Sequence, residues 1–445
     1  MRYFVECTHT RTSALNTGIQ RVVRNLVNHS LDGAAGEREV VPVVFGDGAF
    51  HALPERLALP PAETTPAAGA PAADAGGRDS PVLATKIYLR NVYVAARSLA
   101  CALLPLPPLL RFLSAPRTQW GLTKLLLLPR TLLRKALSPP ALRVQAGDVL
   151  VLLDSSWHLD LWPAVHAARA RGAKVVCVIY DLIPYTDPEF CDPPLVDAFN
   201  RWMKIALREA DAFVCISRTI ADSLQDIVPR VAPERRGPLR CGHFWLGSEL
   251  ESGTQHDTGT PTEVAALIAA DAPLYLYVST IEPRKNHAYA LDAFEALWAD
   301  KTQARLVIVG RIGWRCEALL ERIRNHPESG RRLFMFNGVD DATLAALYDR
   351  ANGLVFSSRV EGFGLPLVEA LQRGLPVFAS DIPVFREIAQ AGVHFVDLAT
   401  PGSLQSAIAD HIRNGAQRLE APVPWLHWRE STTQFWDRLD ATLAQ

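Results

Sequence analysis

Glu361 and Glu369 stand eight residues apart, with Gly362-Phe363-Gly364-Leu365-Pro366 between them. Carboxylates accept hydrogen bonds from vicinal hydroxyls, so two of them flanking one loop suit a sugar and a ribose. The glycines let the backbone approach a ligand closely and take unusual φ values. An apolar-periodic stretch follows, and the N-terminus of a helix there favours an anion. Upstream, Arg284 and Lys285 form an adjacent cation pair after an apolar run. Such a pair suits a diphosphate, with lysine as a point charge and arginine as a fork. Carboxylates for hydroxyls and cations for phosphates together describe a nucleotide-sugar site. Each of these residues alone also has a plain reading: a solvated helix-face Glu369, a Glu361 favoured by a helix dipole, two surface cations. The combination carries the argument.

The elements that must position these groups are legible as hydrophobic runs. Gly353-Leu354-Val355-Phe356 reads as a buried strand leading into the Glu361 loop, and Leu274 to Ser279 reads as the strand before Arg284 and Lys285. Further strands are expected at 305–309, 333–336 and 376–379, with helical stretches between them. Alternating β and α implies a parallel sheet with helices on both faces, whose ligands bind at the carboxyl ends of the strands. The amino end repeats the pattern. Tyr3 to Cys7 reads as a strand, a loop holds Asn16-Thr17-Gly18, and Ile19, Val22, Val23, Leu26 and Val27 recur at helical spacing. Val149 to Leu153, Val175 to Tyr180 and Ala212 to Ile216 read as further buried strands. Asp181 follows one of them, at an edge where it either caps the next element or faces a ligand.

Glu361…Glu369 with its intervening Gly-Phe-Gly-Leu-Pro resembles the E-x7-E signature of retaining GT-B glycosyltransferases, family 4. Further matches are Ser279-Thr280-Ile281-Glu282-Pro283-Arg284-Lys285-Asn286-His287, Val309-Gly310-Arg311-Ile312-Gly313-Trp314 and Thr17-Gly18-Ile19-Gln20-Arg21. The flavour is similar to mannosyltransferases that build O-antigen and capsular chains. The likeness is dense over residues 272–415, thinner over 1–30 and 148–230, and absent over about 50–147. It implies an α/β chain with two Rossmann-like domains facing a cleft, and a C-terminal helix that crosses back to the first domain. The domains are expected at 1–247 and 272–424, with a linker at 248–271 and the crossing helix at 425–445. The resemblance further implies that Glu361 meets the donor sugar's hydroxyls and Glu369 the ribose. Gly362, Phe363, Gly364 and Leu365 form the loop over sugar and phosphate. Gly18 faces the diphosphate across the cleft, while Gly310, Arg311 and Val339 flank the base. Lys285, Arg284, Glu361 and Asp181 are the expected catalytic groups. Two positions depart from the family pattern. Thr280 stands where many members have a phosphate-binding arginine, and Tyr180 where many have histidine.

Composition narrows the rest. The 445 residues are 49% apolar with a net charge of −1, which predicts two cores and no affinity for nucleic acid. The seven cysteines form no C-x-x-C pair, arguing for a reducing, cytoplasmic setting. The first residues are too short and too charged a run for a signal peptide. No D-x-D triplet occurs, so a metal-independent reaction without cofactor is expected. Residues 60–81 are rich in Ala, Pro and Gly and read as poorly ordered. Residues 82–147 contain ten Lys or Arg among leucine clusters and no Asp or Glu. That stretch reads equally as a segment on an anionic membrane surface or as amphipathic helices packed on the first domain. The expected partners are a nucleotide diphosphate sugar, a glycan or lipid-linked glycan acceptor, and the inner membrane face. An epimerase or hydrolase on the same fold and a non-catalytic scaffold are the rival readings.

Overall fold

The computed structural model describes residues 1–13, 18–53, 55–58, 141–235, 238–249, 262–389, 391–400 and 402–445. The stretch read as poorly ordered and nearly all of the basic, leucine-rich stretch lie outside these residues.

Two separate, mainly parallel sheets organise the described residues. In the first, β1 (Arg2–Glu6), β2 (Glu39–Gly46), β3 (Ala49–Ala52), β4 (Val149–Leu152), β5 (Lys174–Ile179), β6 (Ala212–Cys215) and β7 (Cys241–His243) lie in the order β3-β2-β1-β4-β5-β6-β7. Only the β2–β3 pair is antiparallel. In the second, β8 (Leu274–Val278), β9 (Arg305–Val309), β10 (Leu333–Phe336), β11 (Gly353–Phe356), β12 (Val377–Ser380) and β13 (Val393–Val396) lie in the order β10-β9-β8-β11-β12-β13, all parallel. The expected strands appear within about one residue of their places. The sequence reading assigned nothing to 39–52, 241–243 or 393–396. Pro42 interrupts the first of these, and short, half-exposed strands give little periodicity.

Strand alternation builds a core on each face of the first sheet. Phe4, Leu150, Leu152, Val175, Cys177 and Phe213 meet Phe199, Trp202 and Met203 of the helix Pro193–Glu209. Tyr3, Val5, Val149, Val151, Val176 and Val214 point the other way, with Val22, Val23, Leu26 and Val27 of the helix Ile19–His29.

The last helix, Trp428–Ala444, covers that second face although it follows the second sheet in sequence. Trp436 stacks edge-on to Tyr3 at 5.0 Å and donates to Ser30 Oγ at 2.8 Å. Arg38 pairs with Asp437 and Asp440, and Gly242 leaves no room for a Cβ beside Thr442 and Arg438. The expected crossing helix is therefore present. Where the chain passes between sheets, Gly247 lies against the Trp428 backbone and Ser248 N–H donates to Leu426 O.

Glu387, in the helix Pro383–Ile388 of the second domain, ties the two halves together. Its carboxylate accepts from the N–H groups of Arg218 and Thr219 at 2.7 Å each, from Thr219 Oγ1 at 2.6 Å and from Trp245 Nε1 at 2.9 Å. Arg218 and Thr219 open the helix Arg218–Val231 of the first domain, so a carboxylate from one domain caps a helix of the other.

Candidate active site

Four neighbouring strands, β10, β9, β8 and β11, end at one edge of the second sheet. The loops after them carry, in that spatial order, Val339, Gly310-Arg311, Arg284-Lys285 and Glu361-Gly362-Phe363-Gly364. The turn Pro283–Lys285 is closed by Asn286 in the left-handed region at φ 60°, after which the helix His287–Ala299 starts. Because β8 and β11 are hydrogen-bonded neighbours, their loops meet.

They meet as a charge network. Lys285 Nζ and Arg284 Nη1 hold the two oxygens of Glu361, the arginine at 2.7 Å. Arg284 Nε lies 2.5 Å from Glu282 Oε1, close but not aligned as a hydrogen bond. The Lys285 and Glu361 side chains are 10% and 8% exposed, so their charges are largely shielded from water. Burial pushes the Glu361 carboxyl up, but the Arg284 and Lys285 charges override it and hold it down at about 2. Lys285 is lowered by burial and by Arg284, against the pull of Glu361 and Glu282. Below it, Tyr277 donates its hydroxyl to the Lys285 carbonyl and stacks on His287 at 4.4 Å. Burial and Lys285 depress the His287 imidazole to about 3, keeping that ring neutral.

The loop after β11 also touches the first domain. Ser217 Oγ donates to Gly362 O at 3.0 Å, and a Cβ on Gly362 would stand 2.1 Å from Tyr180 O. Asp181 therefore lies beside the network, and it feels Arg284, Glu361 and Lys285. Burial raises its carboxyl while Arg284 opposes the rise. Asp181 Oδ1 also accepts from Ile183 N–H at 3.1 Å, at the start of the short helix Ile183–Thr186. Trp314 and Arg315 add contacts to the carbonyls of Phe190 and Glu189.

Lys285, Arg284, Glu361 and Asp181 thus come together. Phe363 turns inward, 4% exposed against Trp425, so only its backbone is left for a ligand. Gly364 has φ 140° and opens the helix Leu365–Gln372 on which Glu369 sits. Gly310 is pressed so hard on the β8 loop that a Cβ would lie 1.7 Å from Ser279 O. Arg311 continues this contact through its carbonyl, which accepts from Ile281 N–H. Val339 packs against the core at the far end of the row. Gly18 is exposed at φ 53°, and a Cβ there would enter open space. Glu369 is 3% exposed; Arg21 Nη1 meets one of its oxygens at 2.6 Å and Tyr348 Oη the other at 3.1 Å. Sequence reasoning gave Arg21 and Tyr348 no role. The only signal was Arg21's place in the Gly18-Ile19-Gln20-Arg21 match.

The facing edge of the first sheet holds a second acidic pair. Glu6 Oε1 accepts from Thr8 N–H at 2.8 Å, and Asp154 accepts from the N–H groups of Thr10 and Ser155 at 2.6 and 2.7 Å. Burial and the Asp154 charge push Glu6 up to about 7. A carboxyl raised in the folded state stabilises fully below its unfolded pKa, and that contribution is lost as pH rises through the folded value. Glu6→Gln is therefore expected to raise the Tm at pH 8 and change it little at pH 4. A Tm gain of equal size at both pH values would show that Glu6 is not the group responsible.

Residues 262–421 match the family model for glycosyl transferases group 1. The chain is 36% identical over 297 residues to the serotype-specific mannosyltransferase WbdA of Escherichia coli, covering 64% of this chain and 36% of that protein. It is also 32% identical over 275 residues to the O-antigen chain mannosyltransferase B of Escherichia coli, covering 59% of this chain and 69% of that one. The chain belongs to the glycosyl transferase group 1 family. It spans about a third of the length of WbdA. Among solved structures, Anabaena HepE in complex with UDP and glucose superposes with a TM-score of 0.52 at 14% identity, covering 100% of this chain and 95% of HepE. At that identity the likeness speaks for the fold, the two-sheet GT-B arrangement. Among the described residues of this group 1 chain, no cluster of three or more His, Cys, Asp or Glu could hold a metal ion. No helix there is long and apolar enough to cross a membrane.

Proposed function

We propose that this chain is a retaining glycosyltransferase that moves a hexose, mannose from GDP-mannose, onto a hydroxyl of a growing surface glycan. The observation that carries the reading is the shielded Lys285–Glu361–Arg284 network at the carboxyl edge of the second sheet, facing Asp181 of the first. Mannose is supported by two relatives that are named mannosyltransferases.

In this reading Glu369 accepts from the ribose hydroxyls and Glu361 from those of the sugar. An ammonium has three donors, and Glu361 takes one of Lys285's. The rest point to the diphosphate, with Arg284 and the amides of the Gly362–Gly364 loop beside it. The acceptor oxygen bonds to the anomeric carbon on the face that the diphosphate leaves. The carbon–oxygen bond to phosphate breaks, and the departing phosphate oxygen takes the acceptor's proton. Preorganised cations lower this barrier because charge grows on the diphosphate as the bond lengthens.

The test is incubation with GDP-mannose, with and without a mannose-terminated lipid-linked acceptor, followed by chromatography of donor and acceptor. Transfer with release of GDP, only when acceptor is present, is expected. Rearranged or hydrolysed donor in the acceptor-free sample would favour the epimerase or hydrolase, and an untouched donor in both would favour the scaffold. We further propose that the acid-free stretch 82–147 holds the enzyme on the inner membrane face. Flotation with anionic liposomes tests this, and binding undiminished by deletion of residues 95–140 would count against it.

A further inference from the structure

Arg21 belongs to the first domain, in the opening turn of the helix Ile19–His29, yet its guanidinium reaches a carboxylate of the second. Nη1 meets Glu369 Oε1 at 2.6 Å while Nη2 donates to the Glu249 carbonyl at 2.6 Å. On the other side, Tyr348 is fully buried in the helix Asp341–Arg350 and holds Glu369 Oε2. Asp341 is a further carboxyl that feels both Glu369 and Arg21. Arg21 is thus a first-domain cation facing this acidic cluster, and its side chain is only 18% exposed.

An ionised carboxylate offers about four acceptor positions, two on each oxygen. Arg21 and Tyr348 use one on each, so the carboxylate plane is fixed from both sides. Two positions remain, one per oxygen, and two vicinal hydroxyls are the donors that match them. We propose that Arg21 is a donor-positioning residue: it aims Glu369 at the ribose of the nucleotide, so that the ribose subsite is shared between the two domains. This rests on reading Glu369 as the ribose ligand, and goes beyond it by making the first domain part of nucleotide recognition. Closing the two sheets and ordering the ribose become one event, because Arg21 reaches Glu369 only when the domains stand together.

The test compares ribose recognition in four proteins by titration calorimetry: the parent chain, Arg21→Gln, Arg21→Lys and Glu369→Gln. Each is titrated with GDP, UDP and ADP and with their 2′,3′-dideoxy analogues. The parent chain is expected to prefer the ribose form of its best nucleotide by about tenfold or more, as for hydrogen bonds to a charged group. Arg21→Gln should lose most of that preference while its affinity for the dideoxy form stays near that of the parent. Arg21→Lys should fall between, since it keeps the charge but not the fork. An Arg21→Gln protein that keeps the full preference would overturn the inference, and so would one that binds the ribose form more tightly. If Glu369→Gln loses the preference and Arg21→Gln does not, Arg21 alone is misassigned. If the parent chain itself shows no preference, the ribose reading of Glu369 fails and the inference with it.

Discussion

Lys285→Ala is expected to lower turnover by about 30-fold to 1,000-fold, or roughly 2–4 kcal/mol in the barrier, as loss of one preorganised charge stabiliser does. The position makes the effect large. The ammonium sits in a shielded site, where a charge acts through little water. Arg284 remains on Glu361 after the change, so the carboxylate keeps a partner and the fold should survive. The expected signature is a collapse of kcat with a smaller change in the affinity for the nucleotide itself. Initial rates at saturating donor, with nucleotide Kd from calorimetry, separate the two. Turnover equal to that of the parent protein would remove Lys285 from the chemistry.

Glu361→Ala should be felt first in stability. It leaves Arg284 and Lys285 as two buried cations with Glu282 and the more distant Asp181 as their remaining acidic neighbours, and stranding a buried charge costs about 3–5 kcal/mol. Chemical unfolding of the parent and variant reads this difference. The sign with pH follows from the carboxyl's folded value of about 2, below its ordinary value of 4.5. Stability from a depressed carboxyl is present above the unfolded value and is lost as pH falls through the folded one, here between about 4.5 and 2. Glu361→Gln should flatten that acid limb and should also lose transfer activity. An acid limb identical to the parent's would mean that the Arg284 and Lys285 pairing contributes nothing to folding.

Local pattern made much of this architecture readable. Buried parallel strands are continuous apolar runs, so β4, β5, β8, β9 and β11 could be placed from residues such as Val149, Val175, Leu274, Leu306 and Leu354. The loops that follow such strands lie at one sheet edge by topology. That is why Lys285 and Glu361, 76 residues apart, could be expected to meet. What stayed hidden depended on contacts between distant segments. Glu387 looks like any helix glutamate until the helix Arg218–Val231 is set against it. Arg21 is one of many arginines until the domains bring it to Glu369, 348 residues away. Glu6 and Asp154 are isolated acids in sequence, and only the pairing of β1 with β4 makes them neighbours. No periodicity encodes such meetings, because each is set by the packing of whole domains.

The central claim is that Glu361, Glu369 and Lys285 together grip an activated sugar between the two sheets. A crystal structure of the protein with a non-hydrolysable GDP-mannose analogue tests it most directly. The ribose should lie on Glu369, the diphosphate on Lys285 and Arg284, and the hexose hydroxyls on Glu361. A nucleotide sugar seated elsewhere, with those three side chains untouched by it, would contradict the account.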